Sequence, residues 1–126
     1  MNVILDASAI LALLNAEPGA SEVAGAVSEA GISSVNLSEV VAKMVEGGMP
    51  AEATREALQV LGLEVISFDT QQAYDAGFLR DSTRSLGLSF GDRACLGLAQ
   101  QLGLPVLTTD RNWSRLVSGI EVRQAR

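Results

Sequence analysis

An α/β domain built on a parallel, buried sheet is the fold class this sequence predicts. Two observations predict it. Short apolar strands alternate with helical stretches along the whole of the 126 residues. The strands are apolar at successive positions rather than at every second one, as strands covered on both faces are. The length suits one domain, residues 1–126, with a core large enough to need no staples.

Taken in order, residues 2–5 (NVIL) form a short apolar strand that meets Asp6. Residues 7–16 carry Ile10, Leu11, Leu13 and Leu14 and read as a helix, broken at Pro18-Gly19. Residues 20–30 make a second helix and 31–35 a weak strand. Residues 36–46 place Leu37, Val40, Val41, Met44 and Val45 at helical spacing, stopped by Gly47-Gly48. Pro50 opens a helix over 51–61. Residues 64–68 (EVISF) alternate as a strand does, and Asp69 caps a long helix over 70–86. A helix over 90–102 and a strand over 105–107, running on to Thr108-Thr109-Asp110, come next. A short helix over 111–117 and an edge strand over 121–123 complete the prediction. Repeats, linkers and low-complexity tracts are not seen.

Composition narrows the chemistry. No histidine is present, which removes Ser-His-Asp triads and His-rich zinc sites together. The single cysteine, Cys95, lies in an apolar helical pattern and reads as a buried thiol. No apolar run has the length of a membrane span, and the opening residues are not expected to be a signal peptide. The expected location is the cytoplasm. The net charge of −6 is uneven. Residues 1–79 hold two basic residues against eleven acids, and residues 80–126 hold seven arginines against four acids. An acidic chain is a poor generic binder of nucleic acid. An arginine cluster or a divalent metal would still admit a phosphate backbone.

Four acids fall where one element hands over to the next. Asp6 ends the first strand, Glu39 lies in the first turn of the helix after the second, Asp92 in the first turn of the helix at 90, and Asp110 ends the strand at 105. Singly, each reads well as structure. Asp6 and Asp110 suit helix caps, while Asn36-x-x-Glu39 and Ser89-x-x-Asp92 have the form of capping boxes. Jointly they read differently. Strand C-termini of a parallel sheet share one edge, where ligands bind. Four carboxylates meeting there call for a counter-charge, and oxygen donors alone select a hard ion such as Mg²⁺ or Mn²⁺.

VILDASAILALL, NLSEV, LSFGDRACLGLA and PVLTTDRNW, in that order across nearly the whole chain, resemble the PIN-domain nucleases, and most closely the VapC-type toxins of type II toxin–antitoxin pairs. The resemblance implies a three-layer fold with a central, mostly parallel sheet of four or five strands flanked by helices. It implies that Asp6, Glu39, Asp92 and Asp110 are the catalytic acids that hold Mg²⁺ or Mn²⁺. Ser8 matches a small hydroxyl residue two after the first acid, Thr109 the hydroxyl residue before the fourth, and Asn112 a position where many members carry Asp or Asn. The implied reaction is endoribonucleolytic hydrolysis leaving a 5′-phosphate and a 3′-hydroxyl, with RNA as substrate and a cognate antitoxin as partner. A house-keeping nuclease of RNA processing and a catalytically silent PIN-like binding module are the alternatives.

Arg80, Arg84, Arg93, Arg111 and Arg115 share the half that supplies Asp92 and Asp110. Each reads as an RNA contact or as an ordinary surface arginine, and Arg93 and Arg111 also as partners of the acids they follow. Trp113 and Phe90 read first as packing and second as base-stacking residues. Lys43 reads as solvated. The apolar faces of the helices at 36–46 and 70–86 suggest a homodimer, and a further apolar groove would take the antitoxin's C-terminal segment. Two phosphotransfer folds fit poorly: Asp6-Ala7-Ser8 lacks the second Asp of a haloacid-dehalogenase-type enzyme, and residues 80–126 lack the late lysine of a receiver domain.

Overall fold

The structure is a computed structural model that describes residues 1–117 and 119–126. Five strands run parallel in the order β3-β2-β1-β4-β6, and β5 closes the far side antiparallel to β6. They are β1 (Val3–Leu5), β2 (Ala30–Ser33), β3 (Glu64–Ile66), β4 (Val106–Thr108), β5 (Leu116–Val117) and β6 (Ile120–Gln124). Six helices are described: α1 (Ala7–Leu14), α2 (Ala20–Ala26), α3 (Ser34–Glu46), α4 (Ala51–Val60), α5 (Thr70–Thr83) and α6 (Phe90–Leu102).

The two faces of the sheet are visible in β1 alone. Val3 and Leu5 join a core with Ile10, Val23, Val40, Met44 and Leu58, from α1 to α4. Ile4 joins Leu79, Leu96, Leu98 and Trp113, on the side of α5 and α6. Side chains alternate across a strand, so a strand buried on both faces must be apolar throughout, as β1 is, whereas β3 and β6, farther out in the sheet, keep exposed polar residues such as Glu64 and Arg123. The result is three layers, helices on a parallel sheet on helices.

The chain leaves β1 toward β2 and β3, then returns to β4 on the other side of β1. The direction of winding therefore reverses between β1 and β4, the point at which open α/β sheets place their ligands, at the strand C-terminal ends. Asp6 and Asp110 stand at those two ends.

Several predicted bounds shift. The helix at 20–30 ends at Ala26, a 3₁₀ turn covers Val27–Glu29, and Ala30 already belongs to β2. α3 starts at Ser34 with Ser33 as its cap, through Val35 N to Ser33 Oγ at 3.2 Å. Asn36-x-x-Glu39 is therefore no capping box, and Glu39 lies in the second turn. The long helix at 70–86 is α5 plus a 3₁₀ turn over Arg84–Leu86, capped by Asp69 as expected. The helix at 111–117 does not form: a turn leads to β5. Asp110 Oδ1 accepts from Asn112 N at 2.9 Å, so its carboxylate closes an Asx turn instead of capping a helix. The strand at 121–123 is interior, between β4 and β5.

Candidate active site

Asp6 is the most buried of the four acids, 3% exposed. It caps α1 through Ala9 N to Oδ1 at 2.9 Å. Its register explains the rest. Leu5 pairs with Leu107, so the next step sets Asp6 opposite Thr108. Thr108 Oγ1 donates to Asp6 Oδ2 at 2.6 Å, and Ser8 Oγ donates to the same carboxylate at 2.8 Å. Each hydroxyl accepts a backbone amide in turn: Asp110 N on Thr108 Oγ1 at 3.0 Å, Thr109 N on Ser8 Oγ at 3.2 Å. The ends of β1 and β4 are thus sewn together around one carboxylate.

The sequence singles out Thr109, yet Thr108 is the threonine that meets Asp6. The Thr109 side chain is buried against Gly19, and its carbonyl accepts from Arg126 Nε at 3.0 Å. Parallel register, carried one residue past the paired strands, is the signal that distinguishes the two threonines.

Asp92 sits at the third position of α6 in a full capping box. Ser89 Oγ accepts from Asp92 N, and Asp92 Oδ2 accepts from Ser89 N at 2.9 Å. Glu39 reaches across from α3 to the same helix start. Asn36 Nδ2 donates to Glu39 Oε1 at 2.9 Å and to Gly91 O at 3.0 Å. Asn36 is 1% exposed, and no described protein group partners its Oδ1.

Electrostatics unite the four positions. Burial pushes Asp6 up from 3.8 to about 6 against the pull of its donors, and the charge on Asp92 raises it further. Asp92 is raised by burial and then by Asp110. The thiol of Cys95, fully buried on α6, is pushed up by burial and by the charges of Asp6, Asp92 and Glu39. The ion pairs described lie elsewhere: Lys43–Glu46, Arg84–Asp81 and Arg123–Glu121.

The acids share one rim and one field, yet they do not form the ready ligand cluster expected of them. Among the described residues, no three His, Cys, Asp or Glu side chains are grouped so as to hold a metal ion. The physical reason is on hand. Like charges separate, and each carboxylate is tied to its own element, Asp6 by α1 and β4, Asp92 by Ser89, Glu39 by Asn36 and Asp110 by Asn112. The donor chemistry nonetheless suits a hard cation, since the site offers only oxygen and no described basic side chain neutralises it.

Among the other predicted residues, Asn112 and Arg111 are exposed beside Asp110. Arg93 is engaged within the fold: its Nη1 donates to Ala76 O at 2.9 Å, tying α6 to α5. Trp113 is buried in the core. Phe90 is half exposed and stands edge-on to Phe68 at 5.6 Å. Lys43 is solvated as expected.

A solved VapBC from Salmonella typhimurium, bound to DNA, matches over 100% of this chain and 99% of its own, at TM-score 0.78 and 25% identity. A toxin–antitoxin complex from Klebsiella pneumoniae matches over 98% of both chains at 0.77 and 17%. VapBC-1 of Haemophilus influenzae matches over 99% and 98% at 0.75 and 18%. No curated protein matches in sequence. The resemblance carried by four short motifs is therefore matched in fold by toxin–antitoxin complexes. The PIN domain model matches residues 3–118, and the chain belongs to the PIN domain family.

Proposed function

We propose that this protein is a divalent-metal-dependent endoribonuclease, the toxin of a toxin–antitoxin pair. The observation that carries the proposal is the buried Asp6 carboxylate, held by Ala9, Ser8 and Thr108 at the switch point, in the field of Asp92 and with no described counter-cation. Asp6, Glu39, Asp92 and Asp110 would hold Mg²⁺ or Mn²⁺. Bound there, such an ion supplies Lewis-acid polarisation of a phosphate and a more acidic water.

The chain's own residues do the rest. Ser8 and Thr108 fix the face that Asp6 presents. The capping box leaves Asp92 tethered through Oδ2, and the Asx turn leaves Asp110 tethered through Oδ1; each keeps a second oxygen for a cation or a water proton. Arg111, exposed next to Asp110, would meet a phosphate through its planar guanidinium. Arg93 contributes by holding α6 in place. An apolar groove of about 440 Å³ between α3, α4 and β3, lined by Leu37, Val41, Val45, Leu58, Leu63 and Val65, suits an amphipathic antitoxin segment. The relatives named above were solved as toxin–antitoxin complexes, which supports such a partner.

The test is cleavage of a structured RNA with Mg²⁺ or Mn²⁺, against chelator and against Asp92→Asn. Cleavage by the wild type that is lost in both controls is expected. Equal cleavage by wild type and variant would remove the site assignment, and no cleavage of any RNA with either metal would favour a silent binding module.

A further inference from the structure

We infer that Asn36 and Gly91 form a bracket that orients Glu39, so that Asn36 is a positioning residue of the metal site. The inference rests on the nuclease reading above and deepens it. The Glu39 carboxylate lies directly over the first turn of α6. A Cβ at Gly91 would stand 2.5 Å from Glu39 Cδ and Oε1, so any larger residue there must push the Glu39 carboxylate aside. Glycine leaves that carboxylate its place, and Gly91 is the residue before Asp92. Its φ lies outside the left-handed region, since it is not among the positive-φ glycines. A side chain at Gly91 would therefore change the place of the Glu39 carboxylate and not the backbone conformation.

Asn36 supplies the other half. Its amide is buried between two groups that only accept, Glu39 Oε1 and Gly91 O. Only the NH₂ end can face them, so the amide has one orientation, and its Oδ1 faces no described protein donor. An isosteric aspartate lacks those donors, and a leucine lacks any. Asn36 thus joins α3 to the first turn of α6, one residue before Asp92, and it fixes which Glu39 oxygen is engaged. Groups that orient a metal's ligands commonly set affinity by about 10- to 100-fold.

The experiment is Mn²⁺ titration of the RNA-free protein, followed by electron paramagnetic resonance of the unbound ion, for wild type, Asn36→Asp, Gly91→Ala, Glu39→Ala and the doubles Asn36→Asp/Glu39→Ala and Gly91→Ala/Glu39→Ala. Circular dichroism checks that each is folded. Both single bracket variants should weaken Mn²⁺ by about tenfold or more. Added negative charge alone would tighten the ion, so weaker binding by Asn36→Asp reports lost orientation. In the Glu39→Ala background neither change should weaken binding further, because both act through Glu39. Gly91→Ala carries the test by itself if Asn36→Asp does not fold. Weak binding by Glu39→Ala with wild-type binding by the bracket variants overturns this inference and leaves the nuclease reading standing. Wild-type binding by Glu39→Ala overturns Glu39 as a ligand and the bracket with it.

Discussion

Asp6 holds its proton to about pH 6, because burial disfavours the charge more than its three donors favour it. The sign of the pH dependence follows. A carboxyl raised in the fold adds stability that is fully present below its unfolded value, near 3.8, and is lost as pH climbs through about 6. The loss amounts to about 3 kcal/mol in the metal-free protein, since each tenfold change in proton affinity is worth about 1.4 kcal/mol. Urea unfolding of Asp6→Asn without metal should lack this loss between pH 4 and 7; an unchanged profile would assign the dependence to another group. Thr108→Val removes one of the donors that lower the Asp6 value, so the Asp6 titration should move to still higher pH, read by carboxyl NMR. The same change strands the amide of Asp110 and should cost about 1–3 kcal/mol. Ser8 and Asp6 are legible as residues because their spacing is local. Thr108 is not, since its role comes from register between strands 102 positions apart in the chain.

At the level of elements, α6 is legible to the residue: Ser89 and Asp92 announce its start and Gly103, in the left-handed region, its end. Ser89→Ala should lower the melting temperature by a few degrees, for a cap of about 1 kcal/mol, and should also untie Asp92. The start of α3 is ambiguous in sequence because Ser33, Ser34 and Asn36 are all good caps, and only the burial of Asn36 against Gly91 decides between them. The segment after Asp110 reads as helical because Trp113 and Val117 are spaced four apart. Tertiary packing overrides that spacing: Trp113 and Val117 both enter the core beside Val122, and the backbone turns back to pair with β6. Arg93 resembles a site residue through its neighbour in sequence, yet α-helical rotation turns the next residue about 100° away, toward α5.

For the whole molecule, the alternation of strands and helices is enough to read a parallel sheet with covered faces, and the places of four acids at element ends are enough to read their concentration on one rim. What cannot be read is how far the acids stand apart, since that depends on the balance of repulsion against each carboxylate's own tether. A cation that binds only the folded chain stabilises it by mass action. Unfolding with Mn²⁺ at about 100 times its dissociation constant should show a gain of about 2.7 kcal/mol, absent in Asp92→Asn. Equal gains in the two proteins would place the ion elsewhere. The stitch between Asp6 and Thr108 also has a meaning in time. It joins residues from opposite ends of a long loop, and loops of that length close late, after the local helices have formed. A chain whose sheet has not yet closed has no seat for Asp6, so the activity proposed above would arrive together with the finished sheet and vanish when that sheet opens.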